Sequence, residues 1–206
     1  MYLKSSAILL INDLYKSTRP AEQAVSLSGM DFPYQYHVNT VLFTLNQLPN
    51  VPKIPGHKFV FVHILVPHVP YVFSPSGETL TDPGFFGGKS GDAINDDYRT
   101  KGYLYATQFI DSRIVPILQK IIAESAVRPI IIVQGDHGLS GANRSTNLNA
   151  YYLPDGANAL YPTITPVNSF RIILSEYFGA NYPLLPDITY DNNQNPIPEA
   201  YPDCTP

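Results

Sequence analysis

Two short segments carry the side chains best suited to chemistry. The first is Gly135-Asp136-His137-Gly138, which directly follows the apolar run PIIIVQ. A carboxylate beside an imidazole offers two ligands for one divalent metal ion such as zinc or manganese. The flanking glycines let the backbone turn, which would leave both side chains exposed at the end of a strand. The alternative is a tight turn in which Asp136 caps the following residues and His137 is solvated.

A second histidine-bearing segment follows another apolar run, KFVFVHILV at 58–66. Pro67 and Pro70 bracket His68 and restrict the backbone on both sides. An imidazole held in this way is suited to contact an anionic oxygen of a substrate, although a solvated loop histidine is the alternative. His63 lies within the run itself, where a hydrogen-bonded core histidine is the favoured interpretation.

Other catalytic patterns fit the chain poorly. The sequence has no Gly-x-Ser-x-Gly nucleophile motif and no phosphate-binding loop of the Gly-x4-Gly-Lys type. Asp92, Asp96 and Asp97 share one loop that could bind calcium weakly. A solvated acidic loop is favoured there, because the Asp/Asn-Gly spacing of calcium loops is absent. His37 and His57 have ordinary surface interpretations, and no role is expected of them.

The composition indicates one globular domain. The 206 residues are 44% hydrophobic and 15% charged, a combination that argues against intrinsic disorder. The net charge of −4 and the scattered Lys and Arg residues argue against a nucleic-acid partner. A single cysteine, Cys204, predicts neither a disulfide framework nor a cysteine-based zinc site. No apolar run reaches transmembrane length, so no membrane contact is expected from this chain itself.

The apolar spacing predicts an α/β fold whose strands position both segments. Four segments have helical spacing: 3–18, 35–48, 98–125 and 167–178. Three have the composition of strands: 58–66, 129–134 and 147–153. Pro116 is expected to kink or split the third helix, and Gly179 to close the fourth. A long loop at 74–97 and a Pro- and Asn-rich tail at 183–206 complete the chain.

Strands 58–66 and 129–134 are apolar on both faces, as are strands of a parallel sheet that helices cover. We therefore expect a mixed, largely parallel sheet flanked by helices. Ligands in such sheets bind at the carboxyl ends of the strands. His68, Asp136 and His137 are accordingly predicted to converge at one edge of the sheet.

The order of these blocks resembles the carboxyl-terminal half of the sulfatase-like proteins of the alkaline-phosphatase superfamily. The blocks are FVFVHILVPHVPYVF, PIIIVQGDHG, NAYYLP and TPVNSFRIILSEYFG, and they cover most of residues 35–190. The resemblance implies a metal-dependent hydrolase of small anionic sulfate or phosphate esters. It implies that Asp136 and His137 bind the metal, which would be zinc, manganese or calcium. It also implies that His68 contacts a substrate oxygen. His63 would contact the residues of the site rather than the metal or the substrate.

The chain departs from the family pattern at its amino-terminal end. In that family the nucleophile and further acidic ligands precede these blocks, whereas no strand followed by Asp and no nucleophile motif occurs here before residue 58. We therefore expect residues 1–206 to be the carboxyl-terminal part of a larger domain whose missing amino-terminal half is its partner. The isolated chain is then expected to bind metal weakly and to be inactive.

The resemblance also implies a parent protein that is tethered to a membrane and holds this domain outside the cytoplasm. Two other functions stay open at this point. One is a non-catalytic pseudoenzyme or binding module, and the other is a phosphoryl-alcohol transferase that acts on envelope polymers.

Overall fold

The computed structural model describes five stretches of the chain: 32–86, 94–139, 147–155, 158–190 and 195–197. They form a mixed α/β structure, which confirms the general fold class. The chain divides into two compact units, Met1–Ala126 and Val127–Pro206. The helix predicted at 3–18 lies outside the described residues.

The first unit is built on two long helices. Helix α1 (Phe32–Gln47) continues into a 3-10 helix at Leu48–Lys53, and helix α2 spans Asp96–Glu124. Both long helices confirm the predictions at 35–48 and 98–125. A second 3-10 helix, Pro83–Phe85, lies in the loop between them.

The predicted split of α2 is wrong, because the helix runs unbroken through Pro116. A proline within a helix removes one backbone hydrogen bond and crowds the preceding turn. Packing on both sides of the proline compensates here. Phe109 is fully buried before it, and Ile114 and Ile117 pack against the same core around it. Tertiary contacts therefore outweigh the local preference.

The core of the first unit lies between α1, α2 and the segment around Phe73. The buried face of α1 repeats at helical spacing: Tyr34, Val38, Val41 and Leu45. Phe73 stacks on Phe109 of α2 with 4.1 Å between the ring centroids. Each such fully buried apolar side chain contributes about 1.5–3 kcal/mol relative to an exposed one.

A glycine allows α2 to approach the loop that precedes it. Tyr71 is buried beside Gly102, and its backbone N–H donates to the carbonyl of Phe85 at 3.0 Å. A Cβ atom at position 102 would lie 2.2 Å from Cδ2 of Tyr71. No side chain larger than hydrogen fits at that position without a shift of the helix or the ring.

The second unit contains β1 (Ile131–Gln134), β2 (Asn149–Tyr152) and helix α3 (Pro166–Phe178). These three elements confirm the predictions at 129–134, 147–153 and 167–178. Helix α3 closes at Gly179, whose φ of 67° is left-handed, as predicted for a glycine at this position. Within the described residues, no helix of either unit is both long enough and apolar enough to span a membrane.

The strand pairing in the described residues is antiparallel, and a largely parallel sheet is not seen. Strands β1 and β2 form one antiparallel pair, with Ile131 opposite Tyr152. A second short antiparallel pair joins β3 (Thr189–Tyr190) and β4 (Pro196–Ile197).

The strand predicted at 58–66 pairs with no described strand, and most of its side chains are exposed rather than buried. Composition alone indicated a strand with two apolar faces. Pairing requires a neighbouring strand alongside, and the sequence of the segment itself does not specify one.

We expect Gly102→Ala to destabilise the first unit, even though alanine is the better helix former by about 1 kcal/mol. The added methyl group collides with Tyr71, and overpacking of a core costs about 1–3 kcal/mol. The change should lower the melting temperature by several degrees in a thermal unfolding experiment. Gln108→Ala, at an exposed position of the same helix, is the matched control and should leave the melting temperature unchanged or slightly higher.

Candidate functional site

The end of β1 is tied to the chain that enters β2. The N–H of Gly135 donates to the carbonyl of Leu148 at 2.9 Å, and the side-chain amide of Asn147 donates to the carbonyl of Gly135 at 2.7 Å. Gln134 Nε2 donates to Asn149 Oδ1 at 3.1 Å. These three hydrogen bonds fix the point at which the next two residues leave the strand.

Asp136 and His137 bring a carboxylate and an imidazole together immediately after this point. His137 Nδ1 lies 2.7 Å from the carbonyl oxygen of Gly138. A carbonyl oxygen can only accept, so Nδ1 carries the proton and Nε2 keeps the lone pair of the neutral ring. Nε2 lies 3.6 Å from Asp136 Oδ2, whose side chain is largely exposed while the imidazole is about one-third exposed.

This spacing suits two ligands of one metal ion. Zinc lies about 2.0–2.2 Å from imidazole nitrogen and carboxylate oxygen. Two such ligands at a tetrahedral angle are separated by about 3.4 Å, close to the 3.6 Å between His137 Nε2 and Asp136 Oδ2. The Gly138 carbonyl matches the usual backbone partner of a metal-binding histidine, which fixes the ring and its tautomer.

A third protein ligand is not present beside this pair in the described part of the chain. Among those residues, no group of three or more His, Cys, Asp or Glu side chains is placed to hold a metal ion. Two protein ligands leave most of the coordination sphere of zinc or manganese to water or to other donors.

His68 belongs to the first unit and shows the same hydrogen-bond arrangement as His137. Its Nδ1 lies 2.6 Å from the carbonyl oxygen of Val69, so Nδ1 is the donor and the neutral ring keeps its lone pair on Nε2. The peptide bonds that precede Pro67 and Pro70 are both cis. The His68 side chain is exposed, and Nε2 is the ring nitrogen that the contact with Val69 leaves for a further partner.

His63 also lies in the first unit, and it is exposed rather than packed within a buried strand. The favoured interpretation of a core histidine is therefore wrong, because the segment that carries it has no described strand alongside. Since Asp136 and His137 belong to the second unit and His68 to the first, the convergence of these three residues stays a prediction.

His37, to which the sequence assigned no role, is an electrostatic neighbour of His68. It is half-buried on α1, and its Nε2 is buried without a hydrogen-bond partner among the described residues. Burial lowers the pKa of His37, and the charge of His68 lowers it further. Helical spacing could have indicated that His37 is partly buried, because it follows the buried Tyr34 by three residues and precedes the buried Val41 by four.

The acidic residues at the start of α2 serve that helix. Asn95 caps it by accepting the N–H of Asp97 at 2.8 Å, and Asp96 and Asp97 occupy its first turn. Carboxylates in a first turn are stabilised by the positive end of the helix dipole. This placement accounts for two of the three acidic residues of the predicted loop, while Asp92 lies outside the described residues.

A buried polar cluster at the start of α3 was not identified from the sequence. Asn168 is fully buried, and its amide donates to Tyr161 Oη, Asp187 Oδ1 and the carbonyl of Leu185 at 2.8–3.0 Å. Its side-chain oxygen accepts the N–H of Leu185 at 3.0 Å. Helical spacing could have indicated it, because Asn168 and Ser169 lie four positions before Ile172 and Ile173, the two buried apolar residues of α3.

Asp187 is the acceptor on which this cluster converges. Tyr161 Oη donates to Oδ2 at 2.6 Å, and the N–H and hydroxyl of Thr165 donate to Oδ1 at 2.7 and 2.5 Å. Partial burial by itself would raise the pKa of Asp187. The hydrogen bonds from Thr165, Tyr161 and Asn168 outweigh that effect and lower the pKa below its ordinary value.

Comparisons with protein-family models, with curated proteins and with solved structures found no match to this chain.

We expect the pKa of His37 to lie below that of an ordinary histidine and to rise in His68→Ala, because the variant removes a neighbouring positive charge. The rise should be incomplete, since burial is the larger cause. The imidazole signals followed by NMR against pH measure both values. His57→Ala, at an exposed position, should leave the pKa of His37 unchanged.

Acid should destabilise the second unit through Asp187. A carboxylate whose pKa is lowered by folding stabilises the fold above its unfolded pKa and loses that contribution as the pH falls through the folded value. We therefore expect denaturant midpoints to be steady above about pH 5 and to fall below about pH 4.

The variant Asp187→Asn should lower the midpoint near neutral pH and reduce its dependence on acid. Glu176→Gln makes the same acid-to-amide change at an exposed position of α3. It should preserve both the midpoint and its pH dependence, and an equal effect of the two variants would contradict the assignment.

Proposed function

We propose that this chain is the carboxyl-terminal half of a sulfatase-like, metal-dependent hydrolase of sulfate or phosphate esters. In this proposal Asp136 and His137 supply part of the metal site, and His68 contacts an oxygen of the ester. The observation that carries the proposal is the 3.6 Å distance between Asp136 Oδ2 and His137 Nε2. The other ring nitrogen of His137, Nδ1, is hydrogen-bonded to the carbonyl of Gly138.

The metal would be a divalent ion such as zinc, manganese or calcium. When bound, such an ion neutralises charge on the ester oxygens and lowers the pKa of a coordinated nucleophile. The chain's own contribution is to hold the two ligands after β1. The carbonyl of Gly138 keeps the proton of His137 on Nδ1 and directs the lone pair of Nε2 to the side of the Asp136 carboxylate.

His68 would act on the substrate through Nε2. Because Nδ1 donates to Val69 in either protonation state, the protonated ring has one further N–H, at Nε2, to offer an anionic oxygen. The neutral ring could only accept there. Substrate contact by His68 is therefore expected from its charged form.

The nucleophile and the remaining metal ligands are assigned to the missing amino-terminal half. That half would also contribute strands of a largely parallel sheet. Two features support this assignment: the described residues contain no third ligand beside Asp136 and His137, and 58–66 has strand composition without a described partner strand. The parent would hold this domain outside the cytoplasm, as the resemblance implies.

Calorimetric titration of the chain with zinc tests the metal assignment. We expect weak binding, because the protein supplies only two ligands. His137→Ala should weaken the affinity by at least about ten-fold, since even the residues that merely orient a ligand affect affinity by 10–100-fold. Asp136→Asn should act in the same direction, whereas His57→Ala should have no effect.

Two results would contradict the proposal in different ways. Zinc binding that survives both Asp136→Asn and His137→Ala would place the ion elsewhere. Metal-dependent hydrolysis of aryl phosphate or aryl sulfate by this chain alone, abolished in His137→Ala, would place the nucleophile within residues 1–206 and overturn the half-domain assignment.

A further inference from the structure

Asn147 holds the last peptide unit before the Asp136–His137 pair. Its side-chain Nδ2 donates to the carbonyl oxygen of Gly135 at 2.7 Å, and the N–H of Gly135 donates to the carbonyl of Leu148 at 2.9 Å. Both backbone polar groups of Gly135 are therefore held by the two residues that lead into β2. One of these two contacts is made by a side chain, so a substitution can remove it and leave the other in place.

The hydrogen bond to the Gly135 carbonyl restrains the residue that follows as well. The carbonyl of Gly135 and the N–H of Asp136 belong to one planar peptide unit, which turns as a whole. A donor held against the carbonyl oxygen therefore also fixes the direction in which the chain enters Asp136. Without that donor, the peptide unit could rotate about the bonds on either side of it.

Asp136 depends on the backbone for its position more than His137 does. The side chain of Asp136 is 90% exposed, so packing does not hold its carboxylate. The imidazole of His137 is about one-third exposed, and its Nδ1 is hydrogen-bonded to the carbonyl of Gly138. The distance between the two side chains is therefore sensitive to the orientation of the peptide unit that leads into Asp136.

We propose that Asn147 is a positioning residue of the Asp136–His137 pair, an inference that rests on the proposed metal site. Its amide orients the Gly135–Asp136 peptide unit so that the carboxylate and the imidazole stay at the separation that one ion spans. If the amide is removed, the two ligands hold that separation for only a fraction of the time. The apparent metal affinity then falls by that fraction, because only the competent conformation binds.

Calorimetric titration of the whole chain with zinc gives the first reading. We expect Asn147→Ala to weaken the affinity by about ten-fold, the lower end of the range for residues that orient metal ligands. Asn149→Ala is the matched control. It removes another side-chain hydrogen bond at the same end of β1, the one that Gln134 Nε2 donates to Asn149 Oδ1 at 3.1 Å, and it should leave the zinc affinity unchanged.

A second reading, made without metal, separates positioning from folding. N–H residual dipolar couplings measured by NMR report the orientation of each peptide unit. In Asn147→Ala we expect the coupling of Asp136 to change, because its N–H lies in the released peptide plane, while the couplings of Ile131–Gln134 stay as in the natural chain. Asn147→Asp keeps the size of the side chain but has no donor when ionised, so it should reproduce the change at Asp136. It also serves as the test if the alanine variant does not fold.

Three outcomes would overturn the proposal. An unchanged Asp136 coupling in the Asn147 variants would show that the contact with Leu148 alone fixes the peptide unit. Zinc binding that is lost in His137→Ala but is equally tight in Asn147→Ala and the natural chain would show that the amide has no part in the site, and the proposed function would stand. Absence of zinc binding by the natural chain would overturn the proposed metal site and this role with it, so the two failures give different results.

Discussion

The second unit depends on two buried polar residues at the start of α3. Asn168 joins this helix to the chain around Leu185 and Asp187, and Ser169 meets the hydroxyl of Tyr151 on β2 at 2.5 Å. Because β2 pairs with β1, these contacts connect α3 to the strand that the Asp136–His137 pair follows. An unpartnered buried polar group costs about 1–3 kcal/mol, so a helix anchored in this way resists sliding more than one held by apolar contacts alone. The position of the candidate site is therefore linked, through Tyr151 and the β1–β2 pair, to the buried polar residues of α3.

His68 and His137 show how a local backbone contact sets the chemistry of a histidine. In each, Nδ1 donates to the carbonyl of the next residue, which leaves Nε2 for an external partner. The two histidines differ in the charged group that lies nearest to them. A carboxylate 3.6 Å from Nε2 of His137 favours a shared cation, whereas His68 has a second imidazole, His37, as its electrostatic neighbour. The charge of His68 disfavours the protonated form of His37 in addition to the effect of burial.

The sequence predicted what depends on near neighbours in the chain. The helices α1, α2 and α3 follow from apolar residues at i, i+3 and i+4, a pattern that is complete within each segment. The carboxylate and imidazole of Asp136 and His137 are adjacent by covalent structure. The contact of His37 with the charge of His68 and the hydrogen bonds of Asn168 to the chain around Leu185 and Asp187 join residues far apart in the chain. Periodicity carries no information on such contacts, so it could not supply them. At Pro116 the prediction failed for a different reason. The local preference of proline to interrupt a helix is real, but core packing of α2 on both sides of the proline outweighs it.

A strand that is apolar on both sides makes two separate demands. Its edges present unpaired N–H and C=O groups, which only neighbouring strands can satisfy in a buried setting. Its faces present side chains, which helices or loops can cover. In residues 58–66, Ile64 and Val66 pack against the core that includes Tyr34 of α1, whereas Phe59 and Phe61 are 67% and 70% exposed. Neighbouring strands alone satisfy the edges of such a segment and leave its side chains in water, and a covering helix alone does the reverse. Backbone pairing and side-chain burial are therefore separate conditions, and the sequence of the segment reports only the second.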